Sequence, residues 1–551
     1  MRQRKKRDKI FWYLTDEREL SSVLKREEFR RRTRKVTTFF MVLILVFAWA
    51  FSACAIPDGT SSTASEGTGD TAVSSSESET ATETEPEDLR RRVVIVRPQY
   101  ELSSVNSEQV GKVEKKINEA LLKRGAEIAV DLQEVYHLDY PNYMKNALAA
   151  GTAGIAFADT RSADISVRAL ADSGLAADLS ELLPGSKVFS LMPEKLFQLS
   201  AVNGRSYAVP VYDNAALSYD LLVSKDFAEG YGLDPYTLGV EEMSVYDMMK
   251  ALSPYLEDAR NVDTVCPLFL GREMVEAAFH SRIEFFDTEG AALFGIDRET
   301  LSAADLIRDK EYAKLLSLTA KYRELGYIDA DFTRMPDGKE RTYAFALTES
   351  APGAESLYPE AAVLRLSSGL YMQESVLPRG AYVVSAAATE EQQKDCLEFL
   401  GYLYSVKEIA DLFTYGILGE DFTVGENGKL HLTADRNYAH SPWESTSVIP
   451  LTPLISDPDY YAEDCEERNR NAELSPAAGF RFDPAPVQEE YDACMRIYRN
   501  RGLFLERGSY GSKEVKKTLK TYISEMEEAG YDTVRAEIDR QIVSWIRSRK
   551  H

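Results

Sequence analysis

The sequence predicts an α/β fold followed by a helical C-terminal region. Between residues 92 and 160, short apolar runs suited to strands alternate with segments whose apolar residues recur at helical spacing. Strands that alternate with helices pair in parallel, and the helices then cover both faces of the sheet. From residue 487 onwards, three helical stripes follow one another without a strand. With 551 residues, the chain is long enough for two or three domains with sizeable cores.

The chain opens with a basic leader, residues 1–35, and an uncharged apolar run, residues 36–53. As a helix this run would reach about 27 Å, close to the hydrocarbon thickness of a bilayer. Basic residues directly before the run keep the leader in the cytoplasm and place the rest of the chain outside. The run ends in Phe51-Ser52-Ala53-Cys54, which resembles a bacterial lipobox, so we expect Cys54 to be lipidated. If Cys54 is not processed, the run remains as a single membrane helix.

Residues 54–91 are predicted to form a tether behind the lipidated cysteine. The segment Ala55–Asp88 is rich in Ser, Thr, Asp and Glu and contains no Lys, Arg or aromatic residue. Such a segment buries too little apolar surface to offset its ordering entropy, so we expect it to be disordered. The folded body is therefore expected to begin at Arg92.

The first part of this body is predicted to be a parallel sheet. The predicted elements are a strand at residues 93–96, a helix over 110–121, a strand at 128–132, a helix through 144–148 and a strand at 154–157. In such sheets ligands bind beyond the carboxyl ends of the strands, which nominates Asp159 and Thr160. Asp159 could instead cap the next helix.

Residues 203–231 contain a turn and then a strand that leads into a helix. Asn203-Gly204 is a turn signal, residues 207–210 are extended, and residues 217–223 form a strand before a helix that begins near Ser224. This segment, NGRSYAVPVYDNAALSYDLLVSKDFAEGY, resembles a region of the family 1 extracellular solute-binding proteins of ABC importers. In that family the chain crosses here from the first lobe to the second.

Four further segments strengthen the resemblance. They are YRELGYIDADF at 322–332, EFLGYLYSVKEIADLFTYG at 398–416, SPAAGFRFDPAP at 475–486 and EIDRQIVSWI at 537–546. The last two resemble the C-terminal domain of unknown function in the gut-bacterial lipoprotein branch of the family. The resemblance implies a two-lobed periplasmic-binding-protein-like fold of class II type, in which each lobe is a sheet flanked by helices and the ligand cleft lies between them. The implied lobes are residues 92–208 plus 381–435 and residues 209–380 plus 436–551, the latter including the C-terminal helices.

The C-terminal helices are predicted to be core. Apolar residues fall on one helical face in each of the segments 487–498, 515–526 and 534–545, and Gly530 permits a turn between the last two. We therefore expect Trp545 and the tyrosines of this region to pack in the core rather than bind ligand.

Composition and motifs exclude several functions. The formal net charge of −24 argues against a nucleic-acid partner, because a polyanion would be repelled. The chain has no HExxH, GxSxG or GxxxxGK[ST] motif and no GxGxxG after a strand, and its five histidines are dispersed. Cys266, Cys396, Cys465 and Cys494 form no CxxC pair, so we expect buried thiols, although a Cys465–Cys494 bridge stays open. We predict no catalytic residue, metal or cofactor.

A binding cleft is favoured instead. Aromatic faces stack on sugars while polar side chains bind the hydroxyls, and the resemblance makes a sugar the expected solute. The candidate ligand-binding residues are Asp159, Thr160, Tyr212, Asp213, Asn214, Tyr371, Gln373 and Trp443. Each could instead have a packing, capping or turn role. Trp443 is followed by ESTSVI, whereas many members of the branch resemble W-x-F-G-N-Q-F, so the ligand of those members is not carried over.

The resemblance implies a lipoprotein that binds a carbohydrate or oligosaccharide and delivers it to an ABC import permease by hinged closure of two lobes. We expect a monomer, lipid-anchored through Cys54 at the outer face of the cytoplasmic membrane of a bacterium. The alternative is a surface-anchored sensor or scaffold of the same fold without a transport role.

Overall fold

The computed structural model describes residues 88–286, 291–328, 335–336 and 341–549. The predicted leader, the apolar run, Cys54 and the tether up to residue 87 lie outside the described residues. Among the helices of the described part, none combines the length and the apolar composition that a bilayer crossing requires. The described residues belong to one compact unit, Pro86–His551.

The strands of the described residues are numbered in chain order. They are β1 (Arg91–Gln99), β2 (Ile128–Tyr136), β3 (Ile155–Asp159), β4 (Ala208–Pro210), β5 (Ala216–Leu217), β6 (Tyr219–Ser224), β7 (Val265–Phe269), β8 (Ile283–Phe285), β9 (Gly295–Asp297), β10 (Ser302–Ala303), β11 (Thr342–Glu349), β12 (Ala361–Arg365), β13 (Tyr371–Met372), β14 (Gly380–Val384), β15 (Phe422–Val424), β16 (Leu430–Leu432) and β17 (Glu473–Leu474).

The α-helices are numbered in the same way. They are α1 (Ser107–Lys123), α2 (Tyr140–Ala149), α3 (Val167–Asp172), α4 (Lys187–Ser190), α5 (Glu194–Leu199), α6 (Lys225–Tyr231), α7 (Val245–Ala259), α8 (Met274–Phe279), α9 (Lys310–Glu324), α10 (Ala354–Leu357), α11 (Glu390–Leu403), α12 (Lys407–Tyr415), α13 (Tyr461–Asn471), α14 (Gln488–Ile497), α15 (Leu503–Glu506), α16 (Gly511–Glu528) and α17 (Tyr531–Ser548).

The first lobe is built on a five-stranded sheet in the order β2-β1-β3-β14-β4. The predicted strands and helices at its start are present, and β1 pairs in parallel with both β2 and β3. The sheet as a whole is mixed, because β14 pairs antiparallel with β3 and with β4. The cause is chain direction: β14 enters this lobe from the second lobe, so it runs away from the sheet edge at which β3 ends.

The second lobe is built on a four-stranded sheet, β12-β6-β11-β7, and a small antiparallel sheet, β10-β9-β8. Its core is continuous with the C-terminal helices, whose apolar stripes are buried against α9 and against one another. Trp545 is buried there and packs edge-on to Phe480, with 5.7 Å between ring centroids. The prediction that these stripes are core is confirmed.

Three short strands carry the chain between the lobes. β13 pairs antiparallel with β5 and parallel with β17, which forms a three-stranded ribbon. The first crossing lies in the segment where the sequence resemblance places it, a few residues beyond the boundary implied at 208/209. The second and third lie at 371–372 and 473–474 rather than near 380 and 435. The physical reason is packing, because Ala215, Leu377, Tyr438 and Ala472 are buried in the first-lobe core.

The cysteines of the folded body agree with the sequence expectation of buried thiols. Cys266, Cys396, Cys465 and Cys494 are all buried and form no disulfide. The Cys465–Cys494 bridge that the sequence left open is therefore not formed. Burial raises the pKa of the Cys396 thiol to about 12, which keeps that side chain protonated and unreactive at neutral pH.

Candidate ligand-binding cleft

A cavity of about 600 Å³ lies between the two lobes. At roughly 30 Å³ per water molecule, this is space for about twenty waters, and it lies within the usual range of small-molecule sites. First-lobe residues on its wall are Arg161, Val211, Asp213, Asn214, Arg379 and Trp443. Second-lobe residues on its wall include Tyr219, Arg272, Glu273, Glu276, His280 and Glu349.

Trp443 is the aromatic centre of the first-lobe wall. It lies on the short 3₁₀ turn Pro442–Glu444, whose N-cap is Ser441. The Glu444 carboxylate completes a capping box by accepting a hydrogen bond of 2.8 Å from the Ser441 backbone N–H. The indole packs edge-on to Phe157, with 6.1 Å between ring centroids. The Arg379 guanidinium lies 4.1 Å from the indole centroid, a cation–π contact. This wall is therefore both aromatic and cationic.

Asp159 and Thr160 support this wall from behind. The Arg379 guanidinium donates hydrogen bonds of 2.8 and 3.1 Å to the buried Asp159 carboxylate, which raises the pKa of Arg379. The Thr160 hydroxyl donates to the Pro378 carbonyl over 3.1 Å. The strand end that the sequence nominated therefore positions Arg379 against the indole and does not itself line the cavity.

A buried charge network holds the turn that carries Trp443. His440 Nε2 lies 2.7 Å from the Glu134 carboxylate, and His440 Nδ1 lies 3.4 Å from Glu444. Arg97 forms a second ion pair with Glu134 over 2.7 Å. Although burial opposes ionisation, His440 and Arg97 lower the pKa of Glu134 to about 2. Burial and Arg97 oppose the charged form of His440, but Glu134 and Glu444 outweigh them and raise the pKa of His440.

The second-lobe wall carries acidic side chains. Glu273 and Glu276 lie at the start of α8, Glu349 ends β11, and Arg272 is the one basic residue among these four neighbours. The Tyr219 hydroxyl donates to Glu276 over 3.3 Å. Because the opposite wall presents arginines, the cavity offers both hydrogen-bond donors and acceptors at fixed positions.

His280 packs at the base of the cavity as a neutral ring. Its Nε2 lies 3.0 Å from the Leu217 carbonyl, which assigns the proton to that nitrogen. The ring meets the edges of Tyr219 and Tyr371, each at 5.2 Å between centroids. Burial, and then the Arg298 charge, lower the pKa of His280 to about 4. The ring is therefore uncharged at neutral pH and contributes shape rather than charge.

Arg298 joins the crossing strands to the second lobe. Its guanidinium donates to Glu284 and to the Ser475 hydroxyl, each over 3.1 Å, and also to the Gln373 side-chain oxygen. It also lies 4.1 Å from the centroid of the Tyr371 ring. Gln373 lines the cavity. The buried cluster around Arg298 therefore fixes both the crossing strands and the Gln373 side-chain amide.

Half of the sequence-predicted site residues border the cavity, and these are Asp213, Asn214, Gln373 and Trp443. The Asp213 carboxylate accepts hydrogen bonds of 2.7 Å from the Tyr461 hydroxyl and from the Asn214 backbone N–H. Burial raises the pKa of Asp213. This carboxylate is thus held by the protein before any ligand arrives.

The other predicted residues lie behind the wall. Tyr212 is fully buried in the first-lobe core, and Tyr371 packs beneath Arg298. Asp159 and Thr160 brace the segment that carries Arg379, and Thr160 also borders the neighbouring cavity described below. Each side chain therefore has a packing or positioning role in the structure.

Sequence reasoning missed several charged residues of the cavity. Glu349 ends β11 as Asp159 ends β3, so the same strand-end argument would have found it. Glu273 and Glu276 are three positions apart at the start of a helix, a spacing that places both on one face. Arg379 follows a proline in an irregular segment and carried no comparable signal. Within the ranges that the structure describes, no group of His, Cys, Asp and Glu is placed to hold a metal.

The fold and this cleft define a two-lobed solute-binding protein architecture. Residues 476–547 match DUF3502, a domain of unknown function. A carbohydrate ABC transporter substrate-binding protein of Streptococcus pneumoniae is 22% identical over 445 residues, which cover 76% of this chain and 85% of that protein.

Solved structures show the same architecture. The N-glycan transport solute-binding protein of Streptococcus pneumoniae has a TM-score of 0.59 at 20% identity, over 83% of this chain and 99% of that one. An extracellular solute-binding protein of Bifidobacterium longum subsp. infantis has a TM-score of 0.50 at 15% identity, over 83% and 98% of the two chains. The resemblance noted in the sequence, including its C-terminal domain, is confirmed.

Proposed function

We propose that this chain is the substrate-binding component of a carbohydrate ABC importer and holds an oligosaccharide between its lobes. The observation that carries the proposal is the interlobe cavity, which combines Trp443 with arginines on one wall and carboxylates on the other. The S. pneumoniae relative is named as a carbohydrate ABC transporter substrate-binding protein, which supports the same assignment.

The chemistry of the cavity suits a sugar. A sugar hydroxyl both donates and accepts hydrogen bonds, so a site rich in carboxylates, amides and guanidinium groups satisfies it in either role. The apolar C–H faces of the ring pack on aromatic side chains, and Trp443 supplies such a surface at the cavity wall. A cavity of about 600 Å³ is roomy enough for more than one sugar ring.

Transport by this protein needs binding and release, with no bond made or broken. The relatives are named as substrate-binding or solute-binding proteins, which supports a non-enzymatic role. A ligand that contacts both walls favours the closed arrangement of the lobes, which is the form a permease would recognise. In this proposal the lipid on Cys54 holds a monomer at the outer face of the cytoplasmic membrane. No feature of the described residues favours the sensor or scaffold alternative.

A thermal-shift screen of the purified full chain tests the assignment. The panel contains short and long members of several oligosaccharide series, with peptides as the other solute class. Man1GlcNAc and Man5GlcNAc are included because both are ligands in solved complexes of the pneumococcal protein. A ligand present at 100 times its Kd should add about 2.7 kcal/mol of stability. If no carbohydrate raises the melting temperature while a peptide does, the sugar assignment is wrong.

A further inference from the structure

A second cavity adjoins the ligand cavity on the side of the C-terminal domain. It measures about 430 Å³, and we call it the annexe. Residues that border both cavities are Arg161, Phe285, Phe286, Ser375 and Leu377. These shared residues place the annexe directly beside the ligand cavity, and the two spaces together measure about 1,000 Å³.

The C-terminal domain supplies the outer wall of the annexe. The wall residues from this domain are Phe480, Arg481, Phe482, Pro484 and Tyr491, all within the DUF3502 match. The Phe482 ring is half-buried and stacks on Phe286, with 5.6 Å between centroids and 17° between planes. The centroid of the Tyr491 ring lies 6.1 Å from that of the Phe482 ring. The annexe is therefore floored by a cluster of aromatic rings, one of which, Phe286, also borders the main cavity.

Charged groups surround this aromatic floor. Glu284, Glu374, Arg161 and Arg481 all border the annexe. Carboxylates and guanidinium groups beside aromatic faces are the combination that binds a sugar ring, because the ring has polar edges and apolar C–H faces.

The annexe touches both lobes, as the main cavity does. The Arg481 guanidinium donates to the Thr160 carbonyl over 3.1 Å and pairs with Glu374. Arg168 of the first lobe donates to the Gly479 carbonyl of the C-terminal domain over 3.2 Å. The C-terminal domain therefore meets the first lobe beside the annexe and bounds this end of the cleft.

We infer that the annexe is a subsite for the distal residues of an oligosaccharide whose first residues occupy the main cavity. The C-terminal domain then takes part in ligand binding and sets a preference for longer chains. This inference rests on the proposed function, because it needs a carbohydrate in the main cavity. Its occupant follows from the position of the annexe beside the main cavity and from the aromatic and charged residues that the annexe presents.

The test compares long and short ligands on matched variants of the full chain. Phe482→Leu removes the aromatic face at similar volume, Phe482→Tyr keeps the face, and Phe504→Leu alters a 40% exposed ring of the same domain outside the annexe. Calorimetric titration uses the short and long members of each oligosaccharide series that shifts the melting temperature, Man1GlcNAc and Man5GlcNAc among them.

The expected pattern is selective. Loss of one aromatic contact should raise the Kd of the long ligand about two- to tenfold in Phe482→Leu and leave the short ligand unchanged. Phe482→Tyr and Phe504→Leu should match the wild type for both ligands. Equal Kd changes for long and short ligands, or no change for the long one, would overturn the subsite while leaving the proposed function standing. If the wild type binds no carbohydrate, the proposed function fails and the subsite fails with it.

Discussion

Replacement of Arg298 by methionine should destabilise the second lobe strongly. The Arg298 and Glu284 side chains are only 6% and 5% exposed, and their ion pair spans 3.1 Å. Methionine fills a similar volume but leaves the Glu284 carboxylate buried without its cation. The same substitution removes the donor to Gln373 and the cation above the Tyr371 ring.

The magnitude follows from this burial. Breaking a buried ion pair by removing one partner costs about 3–5 kcal/mol, because the remaining charge is uncompensated. An exposed pair is worth roughly 1 kcal/mol or less. Arg282, also in the second lobe, pairs with Asp309 and is 43% exposed, so Arg282→Met is the matched control. We expect a loss of about 3–5 kcal/mol for Arg298→Met and less than about 1 kcal/mol for the control.

Urea unfolding, followed by tryptophan fluorescence and circular dichroism, measures both losses. The double variant Arg298→Met/Glu284→Met removes both charges and should regain much of the lost stability. The single variant Glu284→Met completes the cycle. If Arg298→Met costs no more than Arg282→Met, or if the double variant loses the sum of the losses of Arg298→Met and Glu284→Met, the reasoning about this cluster is refuted.

Three further predictions concern other parts of the chain. Burial raises the pKa of Glu506 from 4.5 to about 7, so the folded chain keeps a proton that the unfolded chain releases, and about 3 kcal/mol of stability present below pH 4.5 should be lost as the pH rises to 7. Glu506→Gln should remove this loss, as pH-dependent unfolding would show. Trp443→Ala should raise the Kd of the bound saccharide about tenfold, whereas Tyr236→Ala, at a 68% exposed ring outside the cavity, should not change it in the same titration. Cys54→Ala should abolish labelling by a fatty-acid analogue and leave an unprocessed precursor on a gel.

Each of these predictions has an outcome that would contradict it. The same stability change between pH 4.5 and 7 in wild type and Glu506→Gln would show that the carboxyl does not titrate with the shifted pKa. Equal Kd values for wild type and Trp443→Ala would remove the indole from the site. A wild-type chain that takes up no label and keeps its full size would mean that the apolar run stays as a membrane helix.

Much of the first lobe could be predicted because its signals are local. The alternating residues of β2 and the helical spacing of α1 depend only on neighbours in the sequence, and both elements appear as predicted. The same holds for the helix after Ser224, whose hydroxyl caps α6 by accepting from the Phe227 backbone N–H. The buried stripes of the C-terminal helices were predictable for the same reason.

The second and third crossings could not be predicted from the sequence. β13 and β17 are two residues long, so neither has a hydrophobic period that could mark it. Their positions are set by which core the flanking residues join, and that depends on contacts between distant segments. The direction of β14 was hidden for the same reason.

The candidate site was predictable only in part. Trp443 was found from its sequence surroundings, but its partner Arg379 is 64 residues earlier and is placed by Asp159, a further 220 residues away. Asp159 was nominated as a ligand-binding residue because it lies at a strand end, whereas its carboxylate binds Arg379. Geometry of this kind arises only when three distant segments meet.

A crystal structure of the complex with the saccharide that gives the largest thermal shift most directly tests the claim that the interlobe cavity binds carbohydrate. We expect a sugar in the interlobe cavity, with one ring against Trp443 and hydroxyls bound by groups on both walls, such as Arg379 and Glu276. A saccharide bound outside this cavity, or contacts with one lobe alone, would contradict it.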